Sequence, residues 1–493
     1  MTKNKSTLRQ QLRPFVRKGY LWAKIISIEE SNSKEEGINY SITLDVLNDK
    51  MKERDNELIE MCNKKTYIFD DEKKEYDVKM FLKRYLYLSF MKIDVKNKEV
   101  FEHLSSLKNE WFKLRIVNID YFERTLGDLS LVIGKEDTLS EIYREVIQKN
   151  NSVKSCNNNW VLKSEWYFSA SPIVSKQYLI EILNTNSNNN IPKPLEIPPE
   201  SIFTSKQELE NYIEPMNNYY ADRIRVNHIG QGHCSMLFNK NEESIFFDIG
   251  GTLNYKKDIS NKVDNNDIDI DNCRMIIISH WDMDHYLGLT MFQYDKLIKK
   301  LWLAPNVAKS QMSKRLINIL YIIFKRPFLV PNDIEVFKLG LNLHIYRNKV
   351  SSDKDINNNG LVLFANKDFD DNKHLKLVSV GDVEYDTLHK DFENNKEVDL
   401  LVVSHHGSKK YRENPFVAKN NNSCSIVPVG YNTHNHPTDE AIQDLKNNGF
   451  KVFRTDGVSE DLKCKYGCRK KRCEKSCDLK SNKKYIEVKI DRR

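Results

Sequence analysis

The sequence predicts an α/β protein in two parts, a small N-terminal α+β domain and a larger domain of buried strands, and three observations carry that prediction. The chain has 493 residues, more than the roughly 150 an ordinary domain takes up, so two or three domains are expected. Residues 184–201 read NTNSNNNIPKPLEIPPES. That stretch is polar and then proline-rich, cannot bury a core, and reads as a linker. Beyond it, short apolar runs repeatedly end in histidine or aspartate, the pattern of buried strands whose ends line a common rim.

Composition narrows the class. Charged residues make up 30% and hydrophobic ones 40%, which implies real cores under a heavily charged surface. No apolar run reaches the roughly 18 residues of a membrane-spanning helix. The basic N-terminus, MTKNKSTLRQQLRPF, lacks the apolar centre of a signal peptide. Cytoplasmic residence without a membrane partner is the expectation. A net charge of +7 suits a polyanion such as nucleic acid; abundant Lys, Asn and Ile from a biased genome is the alternative source of that charge.

The first domain is expected over residues 1–183. Strands are predicted at 20–28, 40–47, 111–121 and 160–169, where β-branched and aromatic residues concentrate. Helices are predicted at 79–91, 138–148 and 176–183. Trp22, Trp111, Trp160 and Trp166 fit core packing, with a base-stacking surface as the alternative. No catalytic constellation stands out here, and a signal or protein partner is the expected role.

The second domain, 202–493, opens with a short helix at 207–212, then an apolar strand, GQGHCSMLF, and a strand ending in Asp248 before Gly250 and Gly251. The apolar run 275–278 leads straight into His280-Trp281-Asp282-Met283-Asp284-His285. Four ligand-type residues in six, just past a buried strand, are costly to desolvate unless they bind something. Imidazole mixed with carboxylate suits zinc or manganese, as one ion or two. The pattern recurs: an apolar run ends at Asp382, another at His405-His406-Gly407-Ser408, and a third leads to His436-Pro437.

In this order, the GQG turn, Asp248, the H-x-D-x-D-H box, Asn358-Asn359-Gly360 before a strand, Gly381-Asp382, HHGS and the later His-Pro resemble the metallo-β-lactamase superfamily, and within it the hydrolase domain of the ComEC-type competence proteins. The resemblance covers roughly residues 223–490. It implies an αββα sandwich and hydrolysis by metal-activated water, often of phosphodiesters. It assigns metal binding to His280, Asp282, Asp284, His285, Asp382, His405 and His436, with Asp382 bridging. Asp284 would hold the attacking water, and His405 or His406 would act on the transition state. Asp248 would orient a ligand histidine. Asp282 stands where the superfamily's commoner box has histidine, an aspartate the ComEC type shares. His233, where an acidic or small residue usually follows GQG, either reaches the site or fills the turn.

Cys464, Cys468, Cys473 and Cys477 can close a tetrahedral structural zinc site; two disulfides are the alternative, disfavoured in a reducing compartment. The segment 464–477 is expected as an insertion in a terminal hairpin between residues 452–454 and 485–488. Arg469, Lys470, Lys471 and Arg472 make it basic enough to hold a phosphate backbone. The function these readings support is a metal-dependent nuclease or phosphodiesterase in a defence or regulatory setting. The alternatives are a small-molecule hydrolase acting on a cyclic nucleotide, lactam or thioester, and a non-catalytic metal-binding module.

Overall fold

A computed structural model describes residues 21–33, 37–65, 89–95, 98–108, 110–118, 159–168, 171–183, 191–229, 232–251, 268–286, 299–348, 356–366, 376–392, 396–408, 416–429, 436–455, 479–481 and 485–490, with single positions at 78, 81, 84, 85, 288 and 296. The helix expected at 138–148, the four clustered cysteines and the basic residues 469–472 lie outside the described residues. The chain divides into two compact units. One takes 1–63, 87–196 and 310–315, and the other takes 64–86, 197–309 and 316–493.

The first unit is a closed barrel of β1 (Leu21–Ser33), β2 (Gly37–Leu47), β3 (Ser89–Val95), β4 (Phe112–Asn118), β5 (Asn159–Phe168) and β6 (Ser171–Leu183), in the order β1-β2-β3-β5-β6-β4. Alternate residues Ile42, Leu44 and Val46 of β2 are fully buried, as a two-residue side-chain period requires for one face of a strand. Residues 176–183, expected to be helical, belong to β6 and pair with both β4 and β5. Their apolar spacing suits either period, and cross-strand pairing on two sides decides for the strand. A helix at Asp49–Lys64 follows β2. Its start is marked in sequence by Asn48, whose Oδ1 accepts the Met51 amide at 2.8 Å. On this helix Asp55 receives both Nε and Nη2 of Arg315, at 2.6 and 2.7 Å. Asp45, on the opposite face of β2 from Ile42, accepts the Gln311 amide at 2.8 Å. Burial outweighs that hydrogen bond and pushes the Asp45 carboxyl up to about 6.

The second unit holds two mixed sheets. The first contains β7 (Arg223–Asn227), β8 (Ser235–Phe238), β9 (Ser244–Phe247), β10 (Cys273–Ile277), β11 (Leu301–Pro305) and β12 (Leu329–Val330), joined at the other edge by β22 (Leu479–Ser481) and β23 (Tyr485–Lys489). Its order is β12-β11-β10-β9-β8-β7-β23-β22. The second contains β13 (Val336–Lys338), β14 (Leu343–Arg347), β15 (Leu361–Ala365), β16 (Leu377–Ser379), β18 (Leu400–Val402), β20 (Cys424–Val427) and β21 (Lys451–Arg454), in chain order across the sheet. Two short strands, β17 (Glu397–Val398) and β19 (Val417–Ala418), pair separately.

One apolar core joins the inner faces of the two sheets. It takes Val226, Ile245, Phe247, Met275 and Ile277 from the first and Ile345, Leu363, Leu377, Val402 and Ile426 from the second. Outside the second sheet a further cluster packs Val378, Leu401, Phe392 and Phe416 with Leu445 of the helix Asp439–Asn447. The expected terminal hairpin does not form. β21 pairs with β20 in one sheet, while β23 pairs with β7 and β22 in the other. The basic cysteine segment therefore joins edge strands of different sheets.

Strands β9 to β12 run parallel, and so do β16, β18, β20 and β21. Parallel strands put their carboxyl ends on one edge, where open α/β sheets hold ligands.

Candidate metal centre

Each ligand-type residue leaves a strand at that edge. β10 runs through Ile278 and Ser279 into His280, and a single helical turn, Met283–Tyr286, carries Asp284 and His285. One residue, Val380, separates β16 from Gly381-Asp382, and two, Val403 and Ser404, separate β18 from the His405-His406 pair. Backbone bonds lock these loops together: Leu361 N–H donates to Ser279 O at 2.7 Å and His405 N–H to Gly381 O at 3.2 Å. Strain concentrates here. Asp248, His405 and His406 all have positive φ, at 65°, 45° and 55°, a region that costs a non-glycine residue about 1–2 kcal/mol. Gly381, at φ +58°, sits so close that a Cβ would lie 2.7 Å from Ser279 Oγ.

Behind the centre lies a buried network around Asp248, which is fully inaccessible. Its Oδ1 accepts Ser279 N–H at 2.6 Å, and its Oδ2 accepts Ser279 Oγ–H, His233 Nδ1–H and His285 Nδ1–H at 2.8, 2.7 and 2.8 Å. Burial alone would raise the Asp248 carboxyl, but His285 and His233 hold it well below the usual carboxylate range. His280 Nδ1 lies 3.1 Å from Ser279 Oγ. The hydroxyl proton goes to Asp248, so Ser279 Oγ accepts from His280. Both box histidines therefore donate from Nδ1 and turn Nε2 forward.

Those two Nε2 atoms are buried, and neither makes a hydrogen bond. His280 Nε2 lies 3.6 Å from Asp282 Oδ2 and 3.7 Å from Asp382 Oδ2. His285 Nε2 lies 3.2 Å from Asp382 Oδ1 and 3.8 Å from Asp284 Oδ1. Such gaps are mostly too long for hydrogen bonds, but they match donors that share an ion at about 2.0–2.2 Å each. Among the described residues three groups have donor atoms all within 4.8 Å: His280, His285 and Asp382; Asp284, His285 and His406; and, in the hydrogen-bonded network behind them, His233, Asp248 and His285. The donor set fits a zinc-like dication. Burial disfavours charge on His285, yet Asp382, Asp248 and Asp284 outweigh it and raise its pKa well above the usual imidazole value. The same potential that retains a proton there attracts a metal ion.

The HHGS pair divides. His406 is buried, its Nδ1–H donates to Pro428 O at 2.8 Å, and its Nε2 faces Asp284 Oδ2 at 3.0 Å. A backbone carbonyl on the far nitrogen is how ligand histidines are commonly oriented. His405 keeps 28% of its side chain exposed, with Nδ1 3.1 Å from Asp382 Oδ2. Burial lowers its pKa, and Asp382 more than restores it, so the net direction is upward. His436 lies with its ring centroid 5.8 Å from that of His405 and enters none of these donor groups. Asp282 is 36% exposed at the mouth. The sequence reading passed over Ser279, although a small polar residue wedged between a buried strand and its first ligand was a usable signal. It also left aside Asn357, whose Nδ2 lies 3.5 Å from His405 Nδ1.

No protein-family profile and no curated protein matches the chain. Among solved structures it is similar to a variant of the CmlA beta-hydroxylase, at 12% identity over 47% of this chain and 52% of that one, with a TM-score of 0.28. It is also similar to YhfI from Bacillus subtilis, described as a metallo-beta-lactamase fold protein, at 11% identity over 47% and 96%, TM-score 0.27. A long form RNase Z from yeast aligns at 12% identity over 52% and 47%, TM-score 0.28. The chain thus spans about half the length of the hydroxylase and of the RNase Z. At these scores the fold assignment rests on the sheet order and the donor set. The metallo-β-lactamase and ComEC-type likenesses are carried by the sequence motifs alone. No helix among the described residues is long and apolar enough to cross a membrane.

Proposed function

We propose that the second unit is a metal-dependent phosphodiesterase that cuts nucleic acid. The observation that carries the metal reading is the pair of buried Nε2 atoms of His280 and His285, which make no hydrogen bond and face the carboxylates of Asp282, Asp284 and Asp382. His280, Asp282, Asp284, His285, Asp382 and His406 hold one or two zinc or manganese ions. A bound dication of this kind lowers the pKa of water to about 7 and offsets charge on the attacked group. Asp284 orients the attacking water and takes up its proton. His405, partly exposed beside Asp382, protonates the leaving oxygen. The net charge of +7 and the basic run 469–472 favour a polyanionic substrate. Cys464, Cys468, Cys473 and Cys477 hold a structural zinc, and the first unit supplies a docking or signal-sensing role in a defence or regulatory enzyme.

The test is cleavage of single-stranded DNA, duplex DNA and RNA by purified protein with added zinc or manganese, wild type beside Asp284→Ala. The expected result is metal-dependent cutting that Asp284→Ala lowers by several orders of magnitude. Cutting that survives Asp284→Ala refutes the site assignment. Hydrolysis of a small phosphodiester without cutting of any nucleic acid selects a small-molecule enzyme. Metal binding with no hydrolysis selects a binding module.

A further inference from the structure

Asp248 shares its Oδ2 among three donors, and one of them, His233, comes from the glycine turn rather than from the metal box. His233 is 3% exposed, and its ring meets Phe247 edge-on at 6.0 Å. The Asp248 carboxyl accepts the Ser279 N–H and lies 2.8 Å from both Ser279 Oγ and His285 Nδ1, so the His233 atom facing it at 2.7 Å is the donor Nδ1–H. The opposite nitrogen, Nε2, accepts from Ser235 Oγ at 3.2 Å. This fixes one ring orientation, because reversing the ring would put Cδ2 in place of Nδ1 against the carboxylate and remove both hydrogen bonds. The backbone of His233 binds the same assembly. Its N–H donates to the carbonyl of Asp284 at 3.0 Å, and its carbonyl accepts Gly250 N–H at 2.7 Å. The approach is so tight that a Cβ on Gly250 would lie 1.9 Å from Asp284 O. Nothing about filling a turn requires a side chain that donates to a buried carboxylate.

We propose that His233 is a positioning residue of the metal centre, holding Asp248 so that Asp248 in turn fixes the ring of His285 and the direction of its Nε2. The proposal rests on the metal reading above. The ring nitrogens of His233 are engaged by Asp248 and Ser235, behind the Nε2 atoms that face the proposed ion. His233 shares Asp248 Oδ2 with His285, the two ring centroids 5.7 Å apart, so that a carboxylate left with fewer donors would be free to turn about its Cα–Cβ bond.

The test compares zinc affinity, measured by competition with a chelating dye, for His233→Leu, His233→Asn and His233→Gln. Leucine keeps the apolar packing and removes the donor. Asparagine puts an amide N–H near the place of Nδ1 and should rescue. Glutamine reaches toward the place of Nε2 and should not. Loss of an outer partner of this kind weakens metal binding about 10–100-fold, which is expected for leucine and glutamine, with asparagine close to wild type. The melting temperature of the metal-free proteins separates this from mere packing, because a packing role lowers stability without ordering the affinities by donor position. Should the leucine variant fail to fold, the asparagine and glutamine pair still decides. Leucine binding zinc as tightly as wild type, or asparagine losing as much as glutamine, overturns the role of His233. Wild type that binds neither zinc nor manganese overturns the metal reading instead.

Discussion

Replacing each histidine of the HHGS pair separately tests the division of labour that the geometry assigns. His406 is one of three donors in its group, with Asp284 and His285, and its far nitrogen is already engaged by Pro428 O. His406→Ala should therefore lower metal affinity by more than the 10–100-fold usual for an outer partner, with elemental analysis showing protein that has lost an ion. His405 belongs to none of the donor groups and is the more exposed of the pair. His405→Gln should keep its metal and lose about 10²–10⁴ in rate, or about 3–5 kcal/mol of transition-state stabilisation. That loss should depend on the substrate. A nucleic acid, whose leaving alkoxide needs a proton, should suffer in full. An activated nitrophenyl phosphodiester, whose leaving group departs unprotonated, should suffer little. Single-turnover rates on both substrates, with metal content measured on the same preparations, make the comparison. Equal losses on the two substrates would falsify the acid role, and loss of metal from His405→Gln would make His405 a ligand.

Three further outcomes follow from particular residues. The folded state holds the Asp45 proton more tightly than the unfolded chain, with a pKa of about 6 against 3.8, so this residue costs nothing below the lower value and destabilises as pH rises through that interval, by about 3 kcal/mol at neutrality. Asp45→Asn should remove the cost, and urea midpoints measured from pH 4 to pH 7 should diverge from wild type as pH rises; parallel profiles would exclude a perturbed Asp45. Gly381→Ala forces a Cβ to within 2.7 Å of Ser279 Oγ at a left-handed φ, which should destabilise by about 2–4 kcal/mol and weaken metal binding together; unchanged thermal melting would show that the loop gives way freely. Cys464→Ser with Cys468→Ser should reduce zinc content while the histidine centre stays occupied, and unchanged zinc would remove the cysteine site.

The parts of this protein that can be read from sequence are those where local chemistry and burial coincide. Residues 275–278 and 400–403 are buried on both faces, so each appears as an unbroken apolar run, and residues 377–380 are interrupted only by the buried Ser379; a histidine or aspartate two residues past such a run has no packing excuse. Where partners are distant, sequence says less. Residues 452–454 and 485–488 look like two arms of a hairpin, yet each finds its partner across a different sheet. Nothing in their own side chains specifies which edge they join. Residues 176–183 satisfy a helical spacing and are claimed by a barrel. The order of donors was legible, but ring directions were not. His405 and His406 are adjacent in sequence and alike in chemistry, and only the left-handed backbone at both positions turns one inward and leaves the other at the mouth.

The pairing of β23 with β7 has a consequence for how the chain is made. Arg225 and Glu487, bonded at 2.7 Å across these strands, are separated by 262 residues. Every metal-ligand candidate in the described residues is synthesised before β23 emerges, so the donors can exist on a nascent chain whose first sheet still has an open edge at β7. Contacts this distant in sequence slow folding, and an unpaired edge invites association with other chains. Early ion binding to the box, before the sheet closes, would favour the native arrangement during that interval. The yield of folded protein should therefore respond to metal supplied during synthesis more than to metal added afterwards.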